Sequence, residues 1–99
     1  MVRLSGRSES RIARTVTVNI SPLDEPLLKE TAFTENISPR GARVVTEQEW
    51  QPGSLVLFIC PKDGVRSQAQ IVYCEGLGES RFAVGLELPV RLEQWAKPR

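Results

Sequence analysis

Ile12-Ala13-Arg14-Thr15-Val16-Thr17-Val18-Asn19-Ile20 decides the fold class of this chain. Val16, Val18 and Ile20 alternate with Thr15, Thr17 and Asn19, so one side of the segment is apolar and the other polar. A period of two is the signature of a half-buried β-strand, and β-branched side chains at the apolar positions suit a pleated surface. Ser21-Pro22-Leu23-Asp24-Glu25-Pro26 is expected to end the strand, because proline has no N–H to donate and the composition is turn-like. Leu28 to Glu35 predicts a second strand, with Thr31, Phe33 and Thr34 supplying β-propensity. Two strands joined by a short polar loop predict a hairpin.

The same alternation continues outward from that hairpin. Asn36-Ile37-Ser38-Pro39-Arg40-Gly41 interrupts it and predicts a turn, after which Ala42 to Thr46 resumes as a strand around Val44 and Val45. Pro52-Gly53 marks the next connection, and Leu55 to Cys60, the most apolar run, predicts a central strand. Pro61-Lys62-Asp63-Gly64 closes it. Val65 to Cys74 alternates with Val65, Ala69, Ile71 and Tyr73 on one parity, and Glu75 to Ser80 reads as a glycine-containing turn. Arg81 to Leu88 predicts the last strand, with Phe82, Val84, Leu86 and Leu88 on one side. Gly85 within it predicts a bend or a close backbone approach. Short strands of this number, separated by turn signals, predict an all-β barrel or sandwich. Val90 to Lys97 predicts one or two helical turns, with Leu92 and Trp95 spaced to cap an open end. Trp50 is expected to cover a barrel end as well, and Phe33, Phe58 and Phe82 to be core or half-buried strand residues.

Composition narrows the function classes. Ninety-nine residues make one domain, and 40% apolar with 25% charged content is ordinary for a globular protein. No run approaches the roughly 18 apolar residues of a membrane span, and the polar, arginine-bearing start has no secretory pattern. A cytoplasmic location is expected. Net charge is +1, yet Arg3, Arg7, Arg11 and Arg14 in the first fourteen residues face only Glu9, leaving a slight acidic excess elsewhere. A local anion clamp or, equally on composition, a disordered basic leader fits that asymmetry better than a general DNA or RNA binder, which needs a basic groove with exposed aromatics. Cys60 and Cys74 read as reduced core thiols, and the chain has no histidine, so neither a zinc site nor a histidine base is expected. Asp24 and Asp63 fall in turns, where aspartate is usually structural. No catalytic constellation is present, so an enzyme is not expected.

Two motifs carry chemistry. In Arg7-Ser8-Glu9-Ser10-Arg11 a pair of guanidinium groups can converge on one ligand. Their forked donors match phosphate or the N7 and O6 acceptors of guanine, and their planes stack on bases. The same pair also fits solvated surface arginines. In Asn36-Ile37-Ser38-Pro39-Arg40-Gly41, Asn36 and Ser38 offer short polar groups, Ile37 points to the core, and Gly41 permits positive φ. Turn formation alone would also explain those residues.

Taken together, Arg-x-x-x-Arg, a strand pair and Asn-x-Ser-x-x-Gly-Ala, ending in Arg81-Phe82-Ala83-Val84-Gly85-Leu86-Glu87-Leu88, resemble the PilZ domain family over residues 5–97. The resemblance implies a six-stranded antiparallel barrel over residues 12–97, with a short C-terminal helical segment and a flexible arginine-bearing leader at residues 1–11. It also implies binding of the bacterial second messenger cyclic di-GMP, with Arg7 and Arg11 gripping guanine and phosphate. Asn36 would then accept from a guanine edge, and Ser38 and Gly41 match the motif serine and glycine. No further cofactor is implied, and a downstream protein or fused domain would read the ordering of the leader. Gly6 stands where many members have another arginine, Glu9 puts a negative charge between the clamps, and Asn36 replaces a charged acceptor. Each departure lowers the implied affinity without abolishing the site; Arg14 is a neighbouring substitute cation, but one inside the predicted strand. A PilZ-like barrel that no longer binds the dinucleotide and acts as a protein-interaction module is the alternative.

Overall fold

A computed structural model describes residues 11–92 and Trp95. The strands are β1 (Ile12–Ala13), β2 (Thr17–Pro22), β3 (Glu30–Ser38), β4 (Gly41–Thr46), β5 (Leu55–Cys60), β6 (Val65–Gly78) and β7 (Arg81–Glu87), with a 3₁₀ turn at Pro61–Asp63. Strand order is β3-β2-β5-β6-β7-β4, and β4 pairs back onto β3, so six antiparallel strands close a barrel. Closure removes the free sheet edges that an open sheet would present. The two-residue β1 lies on β3 in line with β2.

Inward-facing residues form one apolar core. Val18, Ile20, Ile37, Val44, Val56, Phe58, Ile71 and Val84 are essentially inaccessible. One end of the barrel holds the β2–β3, β4–β5 and β6–β7 connections. The other holds β1, the β3–β4 turn, the 3₁₀ turn and the described residues after β7. A tryptophan covers each end: Trp50 packs on the core and donates Nε1–H to Glu30 Oε1 (3.0 Å), and Trp95 meets Phe58 edge-on at 5.6 Å.

Register offsets set which residues face out, besides one between Gly76 and Gly78 at the end of β6. Between Thr34 and Asn36, β3 carries one residue more than β4, so Ala32 and Thr34 point inward before the bulge and Ile37 after it. Between Ile71 and Tyr73 the same happens on β6. An extra residue moves every following side chain to the opposite face. Tyr73 therefore leaves the parity of Val65, Ala69 and Ile71 and lies outside against Gly85, while Cys74 takes the half-buried position against the core. A third offset falls at Arg14–Val16, between the registers of β1 and β2.

Several boundaries differ from the sequence reading. β2 runs through Ser21 and Pro22, since Pro22 is its last residue and its carbonyl is free to accept from Glu25 N–H (3.1 Å). β3 starts only at Glu30 and extends through Asn36–Ser38, leaving Pro39–Arg40 as the turn. β6 reaches Gly78, and the tight turn uses Glu79 and Ser80 at φ 54° and 61°. Phe33 alternates outward from Ala32 and Thr34 and is 55% exposed, so it is neither core nor half-buried. The expected C-terminal helical segment is not found among the described residues, where the 3₁₀ turn is the only helix. Leu88 N–H donates to Arg40 O and Leu92 N–H to Pro39 O (both 2.7 Å), which holds the chain along the β3–β4 turn, and Trp95 N–H donates to Leu92 O (3.1 Å) in a single turn; the rest of the expected helical segment, residues 93, 94, 96 and 97, lies outside the described residues. Leu92 and Trp95 both pack on the core, as expected of residues that cap this end. No described helix is long and apolar enough to cross a membrane.

Candidate ligand site

The bulge at Glu35 builds the candidate site. Without it Asn36 would continue the inward row of Ala32 and Thr34; with it Asn36 turns outward and Ile37 fills the core. β1 brings the arginine segment to the same place: Ile12 pairs with Ile37 and Ala13 with Asn36. Arg11, the residue before that pair, donates from Nη1 to Asn36 Oδ1 at 2.5 Å. Arg11 and Asn36, 25 residues apart, thus meet on one exposed face. Arg3, Gly6, Arg7 and Glu9 lie outside the described residues.

Ser38 and Gly41 hold the turn between them. Ser38 is buried, and its Oγ accepts from Arg40 N–H at 3.3 Å. Gly41 pairs opposite Ser38 and does not have positive φ, contrary to the sequence reading. Its reason is steric: a Cβ there would overlap the Leu86 carbonyl oxygen on β7. Gly85 is the second close approach, because a Cβ would run into the Tyr73 ring.

Arg43, which the sequence reading passed over, stands directly beside Asn36 across the β3–β4 pair. It donates to Glu35 Oε1 (2.8 Å) and Tyr73 Oη (3.1 Å), reaches Glu75 Oε1 at 3.5 Å, and lies 5.8 Å from the centre of the Tyr73 ring. The Glu35 bond, then the Tyr73 bond, hold its proton more tightly than in a free arginine. Arg43 faces out by the alternation of β4, whereas Tyr73 reaches it only through the separate bulge on β6 and Glu35 sits at the bulge of β3, so strand periodicity alone does not reveal the cluster.

Arg14 does not serve the ligand face. Its Nη1 and Nη2 make a forked pair with Asp63 Oδ2 (2.7 Å) and Oδ1 (2.8 Å). Asp63 also accepts from Trp95 Nε1–H (2.8 Å) and from Cys60 Sγ (3.5 Å). The Arg14 bond, followed by that of Trp95, pulls the Asp63 carboxyl below the usual range. Asp63 in its turn is structural, as expected of aspartate there. Both cysteines are free, Cys60 fully buried and Cys74 partly so. Among the described residues no three metal-ligating side chains cluster.

The sequence matches one protein family, the PilZ domain, over residues 5–97. Among solved structures the chain is similar to the Inhibitor of motility (MotI/DgrA) of Bacillus subtilis, with a TM-score of 0.73 at 19% identity. That alignment covers 97% of this chain and 52% of the other, so the chain spans about half the length of its structural relative. At this identity the likeness speaks for the fold alone. No curated protein matches the sequence. The chain belongs to the PilZ domain family, whose members are binding modules rather than enzymes.

Proposed function

We propose that this domain is a bacterial, cytoplasmic receptor for cyclic di-GMP, acting through Arg7, Arg11, Asn36, Ser38 and Gly41. Family membership supports the ligand class, and the Arg11–Asn36 hydrogen bond is the observation that carries the assignment to these residues. The ligand offers two phosphodiesters and the O6 and N7 acceptors of two guanines. Arg11 can pair with either in a forked geometry, and Arg7 supplies a second guanidinium one i+4 step earlier. Asn36 Oδ1 has two lone pairs, so it can accept from a guanine N–H while keeping Arg11 in place. Ser38 and Gly41 set the backbone that supports Asn36. Arg43, fixed by Glu35 and Tyr73, walls the same face with a further cation.

In this reading residues 1–11 form a ligand-gripping arm, residues 12–97 the barrel, and placement of the arm on the ligand is the signal passed to a downstream protein or fused domain. Calorimetry with cyclic di-GMP on wild type, Arg7→Ala and Arg11→Ala tests it. Loss of one charge-assisted pair costs about 1.5–3 kcal/mol, so each variant should bind at least about tenfold more weakly with an unchanged far-UV spectrum. Unchanged affinity in both variants sinks the residue assignment, and no heat with wild type sinks the ligand.

A further inference from the structure

The end of the barrel away from Arg11 and Asn36 carries three exposed leucines in the β2–β3 connection. Leu23 is 41% exposed, Leu28 60% and Leu27 96%. Slack chain does not explain them. Glu25 N–H donates to Pro22 O (3.1 Å) and Leu28 N–H to Glu25 O (2.9 Å), which makes two consecutive turns. Pro22 and Pro26 restrict φ in the same stretch. The connection is a pre-organised tip that holds Leu27 and Leu28 in water, where each forgoes the gain of burial.

The surroundings are acidic. Asp24 and Glu25 are exposed in the tip itself. Glu47 and Glu49, exposed in the β4–β5 connection, are tied to its base because the Glu30 carboxylate accepts from Glu47 N–H (2.5 Å) and Trp50 Nε1–H (3.0 Å). Lys29 is the one cation of the tip. Four carboxylates thus lie about the leucines, with Arg81 of the β6–β7 connection the other cation of that end, while Arg11, Arg40, Lys62 and Arg66 lie toward the opposite end.

We propose that Leu23–Lys29, with Glu47 and Glu49, is a docking surface for a basic amphipathic helix of a protein partner. The apolar stripe of such a helix covers Leu27 and Leu28, and its flanking lysines or arginines meet the four carboxylates. An anionic membrane is disfavoured by those carboxylates. The surface is separate from the proposed ligand site and stands whether or not the dinucleotide binds.

The test is an amide-shift titration of the ¹⁵N-labelled domain with a synthetic leucine–lysine amphipathic helix, and with its glutamate-for-lysine counterpart. The lysine peptide is expected to shift residues 23–30 and 47–50, with affinity falling as salt rises. Leu27→Ser with Leu28→Ser should weaken binding about tenfold or more, and Asp24→Lys with Glu25→Lys should flatten the salt dependence. All four side chains are exposed, so neither pair threatens the core. Equal binding of the glutamate peptide, shifts centred on Arg11–Gly41, or indifference to the serine pair would overturn the proposal. So would neutral phosphatidylcholine vesicles shifting the tip where the lysine peptide does not, or a dimer of this chain that the serine pair dissolves.

Discussion

Gly41 and Gly85 lie on the neighbouring strands β4 and β7, yet a methyl group has different consequences at each. At Gly41 the obstacle is the Leu86 carbonyl, a backbone atom fixed in the β4–β7 ladder. Gly41→Ala must move a strand, and overpacking of this kind costs about 1–3 kcal/mol, which urea denaturation will show as a lower midpoint at unchanged slope. At Gly85 the obstacle is the Tyr73 ring, which can rotate away. Gly85→Ala should therefore spare most of the stability but break the Tyr73–Arg43 bond, moving Arg43 side-chain resonances beside Asn36. Cysteine reactivity separates the same way: burial raises the Cys60 thiol above its usual range, while Cys74 is partly exposed. Ellman's reagent should modify Cys74 first in the native protein, and Cys60 only as the barrel opens.

Elements at the site end are joined through Asp63, which links Arg14 after β1, the β5–β6 connection and Trp95 of the C-terminal segment. Its folded-state pKa is depressed, first by Arg14 and then by Trp95, so the unfolded chain binds this proton more readily than the folded one. The stabilisation is complete above the unfolded value of about 4 and is lost as pH falls through the lower folded value. Asp63→Asn should cost about 2 kcal/mol at neutral pH, and its gap to wild type should narrow on acidification below about pH 4. A gap independent of pH would mean that packing, not charge, fastens the segment. The pairing of Arg14 with Asp63 was hidden from sequence: Arg14 sits in an offset between β1 and β2, and alternation says nothing about where an added residue sends a side chain. The bulges at Glu35 and Val72 were hidden for the same reason, so Asn36 was read as part of a turn and Tyr73 as inward-facing. What alternation does record is burial, and Val16, Val18, Ile20, Val84 and Leu86 all face the core as read.

At the scale of the molecule, closure through β3 and β4 makes the two ends one cooperative unit, because β3 carries Glu30 under Trp50 at one end and Ile37 in the core at the other. The barrel was legible from strand number and turn spacing, whereas the path of the chain after β7 was not, because the Leu88 and Leu92 N–H groups bond to Arg40 and Pro39, some fifty residues away in sequence. Bonds of that range leave no local periodicity. They also mean that Trp95 reports on a long-range contact while Trp50 reports on the opposite end. Small barrels dominated by non-local pairing fold cooperatively, in roughly milliseconds to seconds. In Trp50→Phe the remaining emission comes from Trp95, and in Trp95→Phe from Trp50. In each variant the fluorescence transition in urea is expected to coincide with the far-UV circular dichroism transition. A Trp95 signal lost ahead of the dichroism would show that the C-terminal segment detaches from an intact barrel. The contacts of Trp95 with Phe58 and Asp63 argue against that, since both partners belong to the β5–β6 unit and detachment would strip a core ring and a carboxylate together.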